Sequence, residues 1–102
     1  MRHHMVRYSV KPERTAENEA LIRAFYDELR RTQPVGLQHA SFRLGDGAGF
    51  LHLLSLDTND GHDPLFEVAA FNEFRETLDD RCDEPRVHTD LHEIGSFRLF
   101  AR

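Results

Sequence analysis

Residues 37–56 read LQHASFRLGDGAGFLHLLSL, from Leu37 to Leu56. Two runs of alternating side chains flank the glycine-rich stretch Gly45 to Gly49, which is the pattern of a β-hairpin. With Gly47 taken as the centre of the turn, Leu44 faces Phe50, Phe42 faces His52 and Ala40 faces Leu54. One face of the hairpin then carries Ala40, Phe42, Leu44, Phe50, His52, Leu54 and Leu56. The other carries Leu37, His39, Ser41, Arg43, Leu51, Leu53 and Ser55. The first face is largely apolar and is expected to lie under helices. A slip of one residue in one strand exchanges its faces, so every side-chain assignment in the hairpin depends on this register.

Upstream, Met5 to Val10 alternates, with Val6, Tyr8 and Val10 on one side and Met5, Arg7 and Ser9 on the other, a strand signal. Residues 1–4 (MRHH) are set aside as disordered or tag-like. Pro12 breaks the strand. Thr15 is the expected N-cap of a first helix whose stripe is Leu21, Ile22, Phe25 and Leu29. Pro34 ends that helix, and Gly36 permits the turn into the hairpin. Downstream, Asp57 to Asp63 is a polar loop. Asp63 followed by Pro64 is a helix start, and Val68, Phe71, Phe74 and Leu78 form the second stripe, with Cys82 one turn on. Val87 to Phe100 is expected to be a last strand bent at Gly95, after which Phe97 and Leu99 alternate again.

The order is strand, helix, strand, strand, helix, strand. That is the split βαβ, ferredoxin-like arrangement: an α+β fold with a four-stranded antiparallel sheet and both helices on one face. At 102 residues the chain is a single domain, residues 1–102. The uncovered face of the sheet is expected to carry Leu37, Leu51, Leu53 and Ile94. So much apolar surface is unusual on a monomer, and a twofold partner laying its own sheet against it would bury it. Net charge is −5 and the 13 basic residues are spread along the chain, which argues against a nucleic-acid partner. No apolar run approaches the ~20 residues of a membrane helix. The single cysteine excludes an internal disulfide and fits a reducing, cytoplasmic setting.

Three stretches carry a resemblance: MVRYSVKPE at the start, the strand FLHLLSL with its polar loop, and AAFNEF in the second helix. From about Met5 to Phe100 the chain resembles the dimeric α+β barrel proteins of the antibiotic biosynthesis monooxygenase (ABM) type. The resemblance implies two ferredoxin-like chains closing a barrel, each with a pocket between its sheet and its helices. The activities it implies are those found among such proteins, which include cofactor-independent monooxygenases acting on quinols and polyketide phenols, haem-degrading enzymes, and many members of unknown activity. The chain departs from the family pattern in having no tryptophan, and in carrying Ser55, Leu56 and Asp57 where a Glu-x-Trp pattern would follow the third strand. Asn72 is the one asparagine of the second helix.

Two groups of side chains are candidates for chemistry. His52, with Tyr8, Phe25, Phe42, Phe71 and Asn72, is expected to line a pocket for a flat phenolic ligand, with His52 as the base. Core packing is the plainer reading of the same residues. Arg7, His39, Arg43, His88, Asp90 and His92 are expected to gather on the open face of the sheet. There they could be interface polar residues, an acid, base or anion clamp, or a metal site built from His88, His92 and Asp90 or His39. The leading reading is a homodimeric, ABM-like small-molecule-binding protein, a monooxygenase that needs neither cofactor nor metal. The alternative is a non-catalytic dimer, structural or ligand-carrying, that has kept the barrel and lost the chemistry.

Overall fold

The hairpin forms, but its turn is centred half a residue earlier than Gly47. In the computed structural model, which describes residues 1–58 and 60–99, Leu44 pairs with Gly49, Arg43 with Phe50, Ser41 with His52 and His39 with Leu54. The turn is the four residues Gly45 to Ala48, and Gly45 adopts a positive φ of 61°. Arg43 braces it. The guanidinium donates to the carbonyls of Gly47 at 2.7 Å and Asp46 at 2.9 Å, and pairs with Glu19 of the first helix at 3.1 Å.

The elements are β1 (Arg2–Ser9), α1 (Thr15–Thr32), β2 (Leu37–Leu44), β3 (Gly49–Leu56), α2 (Ala69–Arg81) and β4 (Val87–Leu91), with 3-10 turns at Pro12–Arg14 and Pro64–Glu67. All the strand pairs are antiparallel, in the order β2-β3-β1-β4. This is the ferredoxin-like α+β fold. Among the described residues no helix is long and apolar enough to cross a membrane.

β1 begins at Arg2, so His3 and His4 belong to the sheet rather than to a disordered or tag-like end. They pair with Ser55 and Leu54 on one side and with Leu91 and Asp90 on the other. Thr15 is not an N-cap. It is the first helical residue, and its hydroxyl donates back to the Pro12 carbonyl at 2.9 Å. Asp63 does cap, accepting from the Leu65 amide at 2.9 Å, but it caps the 3-10 turn that leads into α2. Gly36 is required where it stands: its φ is +82°, and a Cβ there would lie 2.7 Å from the Asp57 carbonyl oxygen.

The expected last strand is short. Leu91 faces His3, so β4 reaches the end of β1, and no further ladder follows among the described residues. Past Leu91 the described residues are irregular, and Ile94, Phe97 and Leu99 are exposed. Phe100, the end of that expected segment, lies outside the described residues.

The core sits between helices and sheet. Phe25, Phe50, Phe74 and Leu78 are buried there with Tyr8, Val10 and Ile22. Each large apolar side chain so enclosed contributes about 1.5–3 kcal/mol relative to exposure. The observed register also fixes the faces. Leu37, His39, Ser41 and Arg43 share the helix side with Phe50, His52, Leu54 and Leu56, whereas Phe42 and Leu44 lie on the open side with Leu51, Leu53 and Met5.

Candidate functional site

Between the sheet and α2 lies a cavity of about 260 Å³. Tyr8 and Val6 come to it from β1, His39 from β2, His52 and Leu54 from β3, Phe71, Phe74, Arg75 and Leu78 from α2, and His88 from β4. A larger groove of about 500 Å³ at the other end of the sheet is edged by Arg7, Ser9, Leu44, Asp83 and Val87. The smaller cavity is the candidate site, because aromatic rings and imidazoles converge there.

Its inner wall is one hydrogen-bond chain. Arg81 Nε donates to Asn18 Oδ1 at 2.9 Å, and Asn18 Nδ2 donates to the Tyr8 hydroxyl at 2.9 Å. Tyr8 Oη lies 2.7 Å from His52 Nε2, and His52 Nδ1 lies 2.6 Å from Ser41 Oγ. Ser41 Oγ is 2.9 Å from Tyr26 Oη, which is 2.6 Å from His39 Nδ1. One assignment uses every hydrogen once. Asn18 donates to Tyr8, so Tyr8 donates to His52, and His52 carries its proton on Nδ1. Ser41 then donates to Tyr26 and Tyr26 to His39. His39 is left with its proton on Nε2, an atom with no hydrogen-bond partner among the described residues.

Burial sets the charge state. It pulls the His52 pKa down to about 3, helped by the neighbouring His39, and the His39 pKa down to about 4. Both imidazoles are therefore neutral near pH 7. Burial raises the Tyr26 phenol to about 12, and raises Tyr8 as well, so both phenols keep their protons. The rings stack: Tyr8 on His52 with centroids 5.3 Å apart, and His52 edge-on to Phe74 at 5.5 Å.

The α2 wall carries the cation. Arg75 lies 5.0 Å over the Phe66 ring, and its Nη2 donates to Asn72 Oδ1 at 3.2 Å. Its Nε is buried and has no hydrogen-bond partner among the described residues.

The residues expected in the pocket therefore separate. Tyr8, His52 and Phe71 line the cavity. Phe25 is fully buried behind them, edge-on to Phe71. Asn72 does not line the cavity. It donates to the Phe66 carbonyl at 2.8 Å and positions Arg75. Phe42 is on the opposite face and 37% exposed. Both nitrogens of His52 are engaged inside the protein, so His52 cannot meet a ligand without giving up a hydrogen bond.

The expected polar cluster on the open face does not form. Arg7 alone of the six lies there. His39 and Arg43 moved to the helix side with the register of β2, and Arg43 is tied to its turn. β1 pairs Val6 with His88 and His4 with Asp90, which puts His88 and Asp90 on the helix side as well. His92 falls beyond β4 and is exposed. Reading the sequence alone missed Asn18, Arg81, Tyr26 and Ser41, which complete the chain of hydrogen bonds, and Arg75. Their one signal was polar atoms at core-facing positions of α1, α2 and β2.

No protein-family model matches the sequence, and no curated protein matches it. Solved structures do match. A Nitrosomonas europaea protein named as a candidate antibiotic biosynthesis monooxygenase shares 21% identity, over 91% of this chain and 89% of that one, with a TM-score of 0.74. An antibiotic biosynthesis monooxygenase shares 14% identity over 93% of this chain and all of the other (100%), at 0.75. A variant of SnoaB, a cofactor-independent oxygenase from Streptomyces nogalater, shares 14% over 96% and 97%, at 0.69. The chain has the fold of the ABM proteins over nearly its whole length.

Proposed function

We propose that the chain is an ABM-like small-molecule-binding protein whose cavity takes a small quinol or phenol, and that it acts as a monooxygenase on that ligand without a cofactor. The observation that carries the reading is the cavity itself: a space walled largely by rings and apolar side chains, with His52 and His39 in its lining. At about 260 Å³ it suits one or two fused rings, since a cavity of roughly 150 Å³ holds benzene. A core filled with side chains would favour the non-catalytic alternative, and this cavity counts against it.

The chemistry follows from charge. Neutral imidazoles with low proton affinity are poor bases for a phenol. The guanidinium groups of Arg75 and Arg86, two residues that line the cavity, instead favour the ligand's anionic form by stabilising the phenolate. His39 Nε2–H adds a donor to its oxygen. The electron-rich anion is the sole reductant and gives up four electrons to dioxygen. A ring carbon loses its C–H hydrogen and gains a C=O from one oxygen atom, and the phenolic oxygen, having lost its proton, becomes the second carbonyl. The other oxygen atom leaves as water with those two hydrogens, so that phenol plus O2 gives quinone plus water. His52 serves the reaction through the hydrogen-bond chain, holding the donor of His39 towards the cavity.

The test is oxygen uptake by chelator-treated protein with a panel of hydroquinones, naphthols and related phenols. Uptake above the blank, reduced at least tenfold by His52→Ala, is expected. No uptake with any member, or uptake unchanged in His52→Ala, would overturn the reading.

The same reading includes a twofold homodimer. Met5, Leu51 and Leu53 of the open face are only half-buried, and Phe42 and Leu44 are exposed. Residues 92–99 pair with no strand among the described residues. Both features are accounted for by a second copy facing the sheet.

A further inference from the structure

We propose that His4, His88 and Asp90 form a binding site for a divalent transition-metal ion at the β4 edge of the cavity. The three residues come from two neighbouring strands and share one face of the sheet. The β1–β4 ladder sets His4 opposite Asp90 and Val6 opposite His88, so His88 stands one diagonal step from His4. One ligand atom from each of the three lies within 4.8 Å of the others. His4 Nδ1 and Asp90 Oδ1 are 2.9 Å apart, and the two imidazole rings stack with centroids 5.1 Å apart.

Ligand atoms at ~2.0–2.2 Å from a four-coordinate ion are about 3.3–3.6 Å from one another. Small side-chain rotations close the cluster to that size. His88 and Asp90 are exposed and have room to make them, while His4 is half-buried and held between two strands. The backbone positions are fixed by the ladder, so the ligands are preorganised rather than gathered from loops.

The donor set narrows the ion. Two imidazoles and one carboxylate suit zinc, cobalt or ferrous iron better than calcium or magnesium, which prefer oxygen ligands. Three protein ligands leave at least one coordination position open. His88 also lines the cavity, so an ion held there stands beside the ligand space.

This site does not rest on the oxygenase reading, and its test reads metal binding alone. Chelator-stripped full-length protein is titrated with Co²⁺, followed by visible absorption, and the bound ion is then displaced with Zn²⁺. One ion per chain is expected, with affinity weakened at least about tenfold in His88→Gln and in Asp90→Asn. His92→Gln and His3→Gln, outside the cluster, are expected to bind as the parent does, and far-UV circular dichroism checks that each variant is folded. No saturable binding, affinity indifferent to His88→Gln and Asp90→Asn, or an equal loss in His3→Gln would overturn the site.

Discussion

Ser41 and His52 stand directly opposite one another on β2 and β3, and their side chains meet at 2.6 Å between Oγ and Nδ1. This contact joins the two halves of the buried chain, Arg81–Asn18–Tyr8–His52 on one side and Tyr26–His39 on the other. Ser41→Ala removes it without changing the backbone. His52 Nδ1–H and the Tyr26 hydroxyl each then lose a partner in a part-buried site. A loss of about 2–3 kcal/mol in urea unfolding is expected, more than the removal of an exposed hydroxyl would cost. Nitrogen NMR of the imidazoles checks the direction of the chain: His52 should be the Nδ1–H tautomer and His39 the Nε2–H tautomer. The opposite pair of tautomers would reverse it.

Acid should unfold the protein through the same two rings. Burial holds His39 at about 4 and His52 at about 3, whereas both titrate near ~6.5 in an unfolded chain. The unfolded chain therefore takes up the protons first. The stabilisation from keeping the rings neutral is complete above about pH 6.5, declines as the pH falls below it, and is exhausted once the folded values are passed. Between pH 6.5 and 4.5 the unfolding free energy should fall by up to ~2.7 kcal/mol per pH unit if both rings contribute. His39→Gln should roughly halve that slope. A flat profile across this range would show that the rings are not held neutral by the fold.

How far the sequence carried this picture depends on one residue of register. The strand and helix periods were legible from Tyr8, Phe25, Phe74 and their spacing, and so was the ferredoxin-like order. The faces of β1 and β3 were legible too, because Tyr8, Phe50 and His52 sit in the middle of alternating runs. β2 was not. Its two faces, with Phe42 and Leu44 on one and His39, Ser41 and Arg43 on the other, look like core and surface. The apolar set is in fact the open one. A hairpin turn can be two, three or four residues long, and GDGAG permits more than one length. The length that forms is the one in which Arg43 closes on Gly47 and Glu19. The polar residues of β2 could turn inward because the core offered them partners on α1 and β3: Tyr26 for His39 and Ser41, and His52 for Ser41. Those partners are distant in sequence and leave no local pattern. His4 was hidden for a different reason, since a polar chain start gives no sign that its ladder continues.

Arg81 is fully buried, and each nitrogen of its guanidinium donates once, to Asn18, Thr77 and the Phe74 carbonyl, with Cζ 5.2 Å from the centre of the Phe74 ring. No carboxylate pairs with it among the hydrogen-bonded partners. Its function in the fold is to hold Asn18 so that the amide donates to Tyr8. Arg81→Met keeps most of the volume but leaves Asn18 Oδ1 without its donor. Thermal and urea unfolding should show a loss of about 3 kcal/mol or more. Asn18→Leu in that background should then cost far less than in the parent, because the two residues act as one unit. Additive losses would show that they do not.

Arg75 offers a direct test of which ligands the cavity prefers. Arg75 lines the cavity, so an anionic oxygen near its guanidinium gains a charge-assisted interaction that a neutral ring does not. In competition binding, a naphthol carboxylate should bind the parent at least about tenfold tighter than naphthalene, a difference of ~1.4 kcal/mol. Arg75→Leu should abolish the preference while leaving naphthalene binding within about twofold. Asn72→Ala, which removes the support of Arg75 but not its charge, should fall between the two. Equal binding of both ligands by the parent would mean that the guanidinium plays no part in recognition.

The open face of the sheet gives the remaining prediction. Leu53 stands between Met5 and Ala40 on the pairing ladder, at the centre of a face that carries Leu51, Phe42 and Leu44. Beyond β4, Ile94, Phe97 and Leu99 are exposed as well. If a second copy covers both, light scattering at micromolar concentration gives twice the 11.9 kDa chain mass. Leu53→Glu should return the single-chain mass, because a carboxylate cannot be buried unpaired at the centre of an interface. Phe97→Glu tests the tail separately and should weaken association without disturbing the fold, since Phe97 touches little of its own chain at 81% exposure. A parent protein with the mass of one chain would mean that this face is left to water or to another partner. In a dimer, Leu53→Glu monomers that still show the His39 and His52 tautomers would place the hydrogen-bond chain, and the cavity it lines, within the single chain.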